Sequence, residues 1–258
     1  MDGKLLRIRG LSKNYRALQA VSVFNAEVEA GRIYGLIGTN GAGKTTVLNL
    51  ISGLEKPSSG TIEFEGRDIT GMPPERVTRR GIARTFQNLR LFSTMTVLDN
   101  VMVAAQIDRR YNLFQAALAT RAFREGDGAQ RKRALEYLDL FNLTDVAEAR
   151  AKSLPYGRQR KLEIARALAT GAKLVLLDEP AAGMNPQESA ELMEIILRMR
   201  DTLALTVILI EHDMKVVMGI CDYIYAMAFG EIIDQGLPGD IVKSKRVIEA
   251  YLGGAGDA

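Results

Sequence analysis

Short, continuously apolar runs alternate along this chain with longer stretches of helical period. Leu174-Val175-Leu176-Leu177 and Thr206-Val207-Ile208-Leu209-Ile210 contain no charged residue, the pattern of strands buried on both faces of a parallel sheet. Arg32-Ile33-Tyr34-Gly35-Leu36-Ile37 reads as a third short apolar strand. Nearer the start, Leu5–Ile8 and Leu18–Val28 read as β segments joined by a polar turn at Ser12-Lys13-Asn14. Residues 60–65, with Thr61, Ile62 and Phe64, read as a further strand. A helix is predicted between the two most apolar runs. Asn185 suits its cap, Pro186 its first turn and Glu188 a capping box. Its apolar stripe is Leu192, Ile195, Ile196 and Met199.

From about Leu89 to Ala172 helix formers dominate, and helices are predicted at Val97–Ile107, Gln115–Arg124, Arg131–Phe141 and Gln159–Thr170. The charged piece Arg124-Glu125-Gly126-Asp127-Gly128 reads as an exposed loop. Together these patterns predict an α/β core (1–88 and 172–258) with an inserted helical subdomain (89–171), forming a single domain over 1–258. With 34 Lys+Arg against 31 Asp+Glu, the net charge of +3 is too small to argue for nucleic acid or an anionic membrane. A chain that is 47% hydrophobic and 25% charged excludes disorder as its main state. The single cysteine, Cys221, excludes an internal disulfide and reads as a buried small hydrophobe among Val217, Met218, Ile220 and Ile224. The single histidine, His212, excludes a multi-histidine metal site, so any imidazole chemistry belongs to it. Arg131-Lys132-Arg133 reads as a solvated helix face. Asp222 interrupts the apolar stretch 216–230 well short of the roughly 18 residues that a membrane span needs. The first residues carry no secretion signal. A role at a membrane is therefore expected from the cytoplasmic side, through a partner.

Three places carry chemistry. Gly38-Thr39-Asn40-Gly41-Ala42-Gly43-Lys44-Thr45 matches G-x-x-x-x-G-K-[ST], with a predicted strand before it and a helix, Lys44–Ser52, ending at Gly53 after it. Glycines let the backbone turn its N–H groups onto phosphates, and the helix N-terminus adds a positive dipole end. Lys44 suits the β and γ phosphates, and the Thr45 hydroxyl suits Mg²⁺. The run Leu174–Leu177 delivers Asp178-Glu179-Pro180 to a strand's carboxyl end, where ligands bind in open α/β sheets. Successive strand residues face opposite ways, so the two acids can do different work. Asp178 fits the metal–water shell and Glu179 the polarisation of an attacking water. Thr206–Ile210 likewise runs into Glu211-His212-Asp213, placing an imidazole where it can meet a γ-phosphate.

These motifs, in this order, resemble the ATP-binding cassette (ABC) ATPases over nearly the whole chain. Tyr15 sits where that family stacks an aromatic on adenine, and the phosphate loop spans Gly38–Thr46. Gln87, in Arg84-Thr85-Phe86-Gln87-Asn88, matches the glutamine that joins the metal site to the membrane partner. Leu154-Pro155-Tyr156-Gly157-Arg158-Gln159 occupies the signature, usually Leu-Ser-Gly-Gly-Gln, and Ala182-Gly183-Met184-Asn185 the loop usually written Ser-Ala-Leu-Asp. His212 matches the switch histidine. LVLLDEPAAGMN at 174–185, IEHDMKVVMGI at 210–220, the tail Ala250-Tyr251-Leu252-Gly253 and the long helical segment near 103–130 resemble the ATPase subunits of bacterial and archaeal branched-chain amino-acid importers.

The resemblance implies a phosphate-loop α/β core with a mostly parallel sheet, an N-terminal antiparallel β subdomain and the inserted helical one. It implies an ATPase using ATP and Mg²⁺, with Thr45, Gln87 and Asp178 around the metal and Glu179, His212 and Gln87 as catalytic residues. Two cassettes, identical or paralogous, would enclose each ATP between one phosphate loop and the other's residues 154–159. Further implied partners are transmembrane permease subunits, which hold the protein peripherally at the cytoplasmic face of the plasma membrane, and an external solute-binding protein. Nucleic acid is not an implied partner. The departures are Pro155, without hydroxyl or N–H, Tyr156, Arg158 and Asn185. Other cargoes, such as urea, amides or an exported lipid, and a weakly hydrolysing regulatory subunit are the alternatives left open.

Overall fold

The computed structural model describes residues 3–106 and 121–253, with side chains for 3–106 and 128–251. The predicted helix Gln115–Arg124 therefore falls largely outside the described residues. Two sheets form. The first is antiparallel, in the order β2 (Leu18–Glu29), β1 (Lys4–Tyr15), β4 (Ser59–Phe64), β5 (Arg67–Asp68). The second runs β10 (Glu231–Gly236), β9 (Tyr223–Ala228), β3 (Ile33–Gly38), β8 (Thr206–Ile210), β7 (Leu174–Asp178), β6 (Ile82–Arg84), parallel throughout except for β10. The helices are α1 (Lys44–Ile51), α2 (Pro74–Arg79), α3 (Val97–Ala104), α4 (Arg121–Leu140), α5 (Tyr156–Ala169), α6 (Pro186–Leu203), α7 (Met214–Ile220), α8 (Pro238–Ile241) and α9 (Lys245–Gly253).

Why the central strands lack polar positions follows from the two cores. Val175, Leu177, Val207 and Leu209 face a core shared with α3, α4, α5 and α6, through residues such as Leu98, Leu138, Leu162 and Leu192. Their neighbours Leu174, Leu176, Ile208 and Ile210 face the opposite core, with α1 and the antiparallel sheet, through Leu48, Ile51, Ile8 and Phe64. A strand between two cores has no solvent face, so strict alternation disappears from its sequence. The stripe of α6 is buried as read, at Leu192, Ile195, Ile196 and Met199, with Met193 beside it.

Three local readings are corrected. Ser12, Lys13 and Asn14 lie within β1, and the chain turns at Arg16-Ala17, with Arg16 at φ 54°. The polar run stays extended because its backbone pairs with β2, Lys13 against Val21 and Asn14 against Gln19, while the Ser12 hydroxyl accepts from Val23 N–H. Residues 124–128 belong to α4 rather than to a loop. The cost of a mid-helix glycine, about 1 kcal/mol, is offset downstream, where Ala134 and Leu138 are fully buried. Helix α5 starts at Tyr156 rather than Gln159, with Pro155 as its N-cap at φ −54°. Proline's fixed φ and missing N–H suit a helix start.

Cys221 is 7% exposed and lies under Gly35, where an added Cβ would come within 3.1 Å of its Sγ. Burial, with the charges of Asp222 and Glu211, pushes its thiol up to about 12. At pH 8 a thiol reagent is expected to label Cys221 only as the protein unfolds, so the labelling rate should follow the denaturation curve; fast labelling of native protein would contradict this burial. At the start of α6 the Asn185 side chain accepts from Glu188 N–H at 2.9 Å, while Glu188 accepts from Asn185 N–H at 3.1 Å. Asn185→Ala is expected to cost about 1 kcal/mol and to lower the melting temperature by about 2–4 °C, checked by thermal unfolding.

Candidate functional site

Strands β3, β8, β7 and β6 are consecutive neighbours in the parallel sheet. Their carboxyl ends therefore share one edge, and each delivers one motif found in the sequence. β3 leads into the phosphate loop, β8 into Glu211-His212, β7 ends on Asp178, and β6 leads to Gln87. A crevice at the carboxyl ends of parallel strands is where open α/β sheets bind ligands.

The phosphate loop requires glycine at two positions for steric reasons. Gly38 has φ 150°, and a Cβ there would lie 2.2 Å from the Met227 carbonyl oxygen. Gly43 has φ 98°, and its Cβ would lie 2.4 Å from Ala20 O. Thr39 O accepts from Ala42 N–H at 3.2 Å, closing the turn, and Gly230 N–H ties Ala42 O to the β9–β10 hairpin at 3.2 Å. Asn40 and Gly41 lie at the tip of the loop. Lys44 is 6% exposed, and its ammonium donates to Gly38 O at 2.7 Å and Thr39 O at 2.8 Å, so the charge lies inside the loop. Burial lowers its pKa, against the pull of Glu179 and Asp178. Thr45 follows on the exposed side of the first turn of α1, and Thr46 is half-buried. Tyr15, at the end of β1, is 41% exposed; its hydroxyl donates to Glu55 and lies beside Thr46. Burial and Glu55 together push that phenol up to about 12.

The two adjacent acids diverge, as the strand reading expected. Asp178 is 4% exposed and accepts from Arg84 Nη2 at 3.0 Å. Glu179 faces the crevice. His212 Nε2 donates to its Oε1 at 2.7 Å, and Gln87 Nε2 donates to its Oε2 at 3.4 Å. Strand alternation is only part of the cause. Glu179 has φ 49°, a left-handed conformation that costs a residue with a Cβ about 1–2 kcal/mol. Its N–H still donates to Ile210 O at 3.0 Å, so the chain leaves the sheet immediately after the acid.

Two charged residues to which the sequence reading gave no role belong to this site. Arg84 joins three elements, since besides Asp178 it donates to Asn49 Oδ1 at 2.5 Å and Ser52 Oγ at 3.3 Å on and just after α1. Glu211 is 6% exposed; its carboxylate accepts from Ala181 N–H at 3.1 Å and from its own neighbour His212 N–H at 3.2 Å. Burial raises the pKa of Glu211. The sequence signal for both is a charge placed at the end of a buried strand.

Residues 154–159 lie at the N-terminus of α5. Leu154 is buried and its carbonyl accepts from Gln159 Nε2 at 2.8 Å. Tyr156 is 42% exposed, with its ring against Gly183. Gly157 lies under the Glu188 carboxylate, where a Cβ would meet Oε1 at 2.7 Å. The guanidinium of Arg158 pairs with Asp145 at 2.8 Å on the surface. The first ladder bond of α5 is Gln159 N–H to Pro155 O at 3.0 Å, so the preceding N–H groups stand outside the helical ladder.

A loop wrapped around a buried ammonium, beside a carboxylate held by an imidazole, is suited to a nucleotide's phosphates, and the class is that of the phosphate-loop ATPases. A family model described as "ABC transporter" matches residues 21–182, and the chain belongs to that family. The chain is 44% identical over 255 residues to the high-affinity branched-chain amino acid transport ATP-binding protein LivG of Salmonella typhimurium, covering 99% of this chain and 100% of that one. With the corresponding protein BraF of Pseudomonas aeruginosa it shares 41% over 255 residues, at the same coverage. Among solved structures, the ADP conformation of MJ1267, an ATP-binding cassette of an ABC transporter, superposes with a TM-score of 0.83 at 28% identity, covering 97% of this chain and 99% of that one. The protein is thus a nucleotide-binding ATPase of the ABC family. Among the described residues, no helix is long and apolar enough to cross a membrane.

Because a Cβ at Gly43 would meet Ala20 O, Gly43→Ala should destabilise the protein more than Gly41→Ala. Position 41 has φ 78° but open space around it. Thermal melts of the two variants would compare them; equal losses would show that backbone conformation alone, and not the approach of Ala20, governs the loop.

Proposed function

We propose that this protein hydrolyses ATP to drive the import of branched-chain, hydrophobic amino acids, as one of two cassettes under a membrane permease. The observation that carries the catalytic part is the Glu179 carboxylate, bridged by His212 and Gln87 on the edge that also bears the phosphate loop. In this reading Tyr15 stacks on the adenine. The backbone N–H groups of Gly38, Thr39, Asn40, Gly41, Ala42, Gly43, Lys44, Thr45 and Thr46 cradle the phosphates, and Lys44 supplies the charge between β and γ. Glu179 orients and polarises the attacking water. His212, held by Glu179, donates toward the γ-phosphate, and Gln87 registers its presence.

The donors near the loop fit Mg²⁺. The Thr45 hydroxyl, the Gln87 amide oxygen and the Asp178 carboxylate are all hard oxygen ligands, few in number, as suits an ion that keeps waters and substrate phosphates in its shell. Bound there, the ion would neutralise phosphate charge. Arg84 Nη2 holds one oxygen of the Asp178 carboxylate at 3.0 Å.

Residues 154–159 would meet the γ-phosphate bound by a second cassette, of the same or a paralogous chain. Because Arg158 is paired with Asp145 and Pro155 offers no donor, the Gly157 N–H and the dipole of α5 carry that contact. ATP then joins the two cassettes, and hydrolysis releases them. The helical subdomain (89–171) and Gln87 transmit closure to the permease, which holds the protein at the cytoplasmic face of the membrane, with a solute-binding protein outside. The cargo reading is supported by full-length likeness to LivG and BraF.

Glu179→Gln should retain ATP affinity while hydrolysis falls about 10²–10⁴-fold, the range for loss of a general base; wild-type turnover would remove Glu179 from its role. Lys44→Ala should weaken nucleotide binding by tenfold or more, worth about 1.4 kcal/mol, read by titration with a fluorescent ATP analogue. Since His212 is the only histidine, His212→Ala leaves no imidazole to substitute for it, and undiminished ATPase activity in the assembled transporter would exclude its assignment. For the cargo, the protein would be reconstituted with a permease pair and a solute-binding protein. ATP-dependent uptake of leucine is expected, and uptake of urea or an amide without leucine would overturn the reading.

A further inference from the structure

Arg160 is a fully buried arginine that the mechanism above does not use, being 2% exposed on the second turn of α5. Its guanidinium fork does not face the crevice. Nη1 donates to Phe86 O at 2.7 Å, Nη2 donates to Gln87 O, and Nε donates to Tyr156 Oη at 3.0 Å. Nη1 also pairs with Glu163, equally buried, at 3.2 Å. Glu163 in turn accepts from Arg90 N–H at 3.3 Å and hydrogen-bonds the Phe86 backbone. Two side chains one turn apart on α5 thus hold both carbonyls and N–H groups of segment 86–90. The Phe86 ring is covered on its outer side by Arg90 at 4.1 Å.

A buried ion pair gains little over a well-packed apolar pair of the same size, so stability alone gives little reason for one here. What an apolar pair could not do is satisfy the backbone groups of a loop that makes no regular secondary structure between β6 and α3. That loop carries Gln87, whose amide reaches Glu179. Residues 154–159 lie immediately before Arg160, across the start of the same helix.

We propose that Arg160 and Glu163 are positioning residues that clamp the Gln87 loop to α5, so that Gln87 and residues 154–159 move as one unit relative to Glu179. The proposal rests on the role given to Gln87 above. A displacement of α5 carries Gln87 off the Glu179 carboxylate, and seating of Gln87 sets the position of 154–159. Arginine is needed because its planar fork reaches two carbonyls at once, which a lysine ammonium cannot match in geometry.

The test uses the purified full chain. Hydrogen exchange of the Phe86 and Arg90 amides should quicken about tenfold in Arg160→Lys and in Glu163→Gln, as expected for a local opening that leaves the global fold intact, while exchange in β7 stays as in wild type. Unchanged exchange at Phe86 and Arg90 in both variants overturns the clamp. The kinetic arm combines Arg160→Lys with Gln87→Ala. If Arg160 acts through Gln87, kcat falls about tenfold in Arg160→Lys with KM little changed, and the double variant is no slower than the slower single one. Losses that multiply show that Arg160 acts elsewhere and overturn the proposal. Gln87→Ala with full activity refutes the Gln87 reading instead, and exchange then decides the clamp alone. Should Arg160→Lys fail to fold, Glu163→Gln, which preserves shape, carries both arms.

Discussion

The parallel pairing of β3, β8 and β7 is the constraint on which the site depends. Leu36 and Asp178 are both paired with Ile210, one on each side of β8. That register sets the phosphate loop, His212 and Glu179 at one level of the sheet. A slip by one residue would turn every apolar side chain of the strand toward the wrong core. Because both faces are buried, such a slip is costly, and hydrophobic burial holds the spacing between a lysine, an imidazole and a carboxylate that never touch in sequence.

Around that edge the chain accepts local cost. Glu179 is held at a left-handed φ, and outliers of this kind persist where the surroundings over-determine them. Here the surroundings are Ile210 O on its N–H and Ala182 N–H on its carbonyl. Several charges are removed from water nearby, namely Lys44, Asp178 with Arg84, Glu211, and Arg160 with Glu163. Each has defined partners; Lys44 closes its own loop, and the others join one motif-bearing segment to another. The Arg84 contacts tie β6 and β7 to α1, those of Glu211 tie β8 to the turn after Glu179, and those of Arg160 tie α5 to the Gln87 loop. The polar interior is a set of cross-links between pieces that the sheet alone would only bring close.

Much of this was legible before any fold was known. The buried strands are continuous apolar runs, the α6 cap is written as Asn185-Pro186 with Glu188, and the phosphate loop is a spacing of glycines before a lysine. These are local signals, each decided within about ten residues by sterics or periodicity. Readings failed where a distant partner decides. Ser12-Lys13-Asn14 looked like a turn because its polarity was visible and its pairing with β2 was not. The piece 124–128 looked like a loop because its glycines were visible and the packing of α4 further along was not.

The sequence by itself determined the elements, the phosphate-binding chemistry and the family, because these reside in contiguous residue types and their order. The tertiary structure decided the partnerships: Glu179 with His212 and Gln87, Asp178 with Arg84, Arg158 with Asp145, and Arg160 with the backbone of the Gln87 loop. The physical reason is the same for all of them. Hydrogen bonds and ion pairs act over about 3 Å, and only the closed sheet and its packed helices bring residues tens of positions apart within that distance.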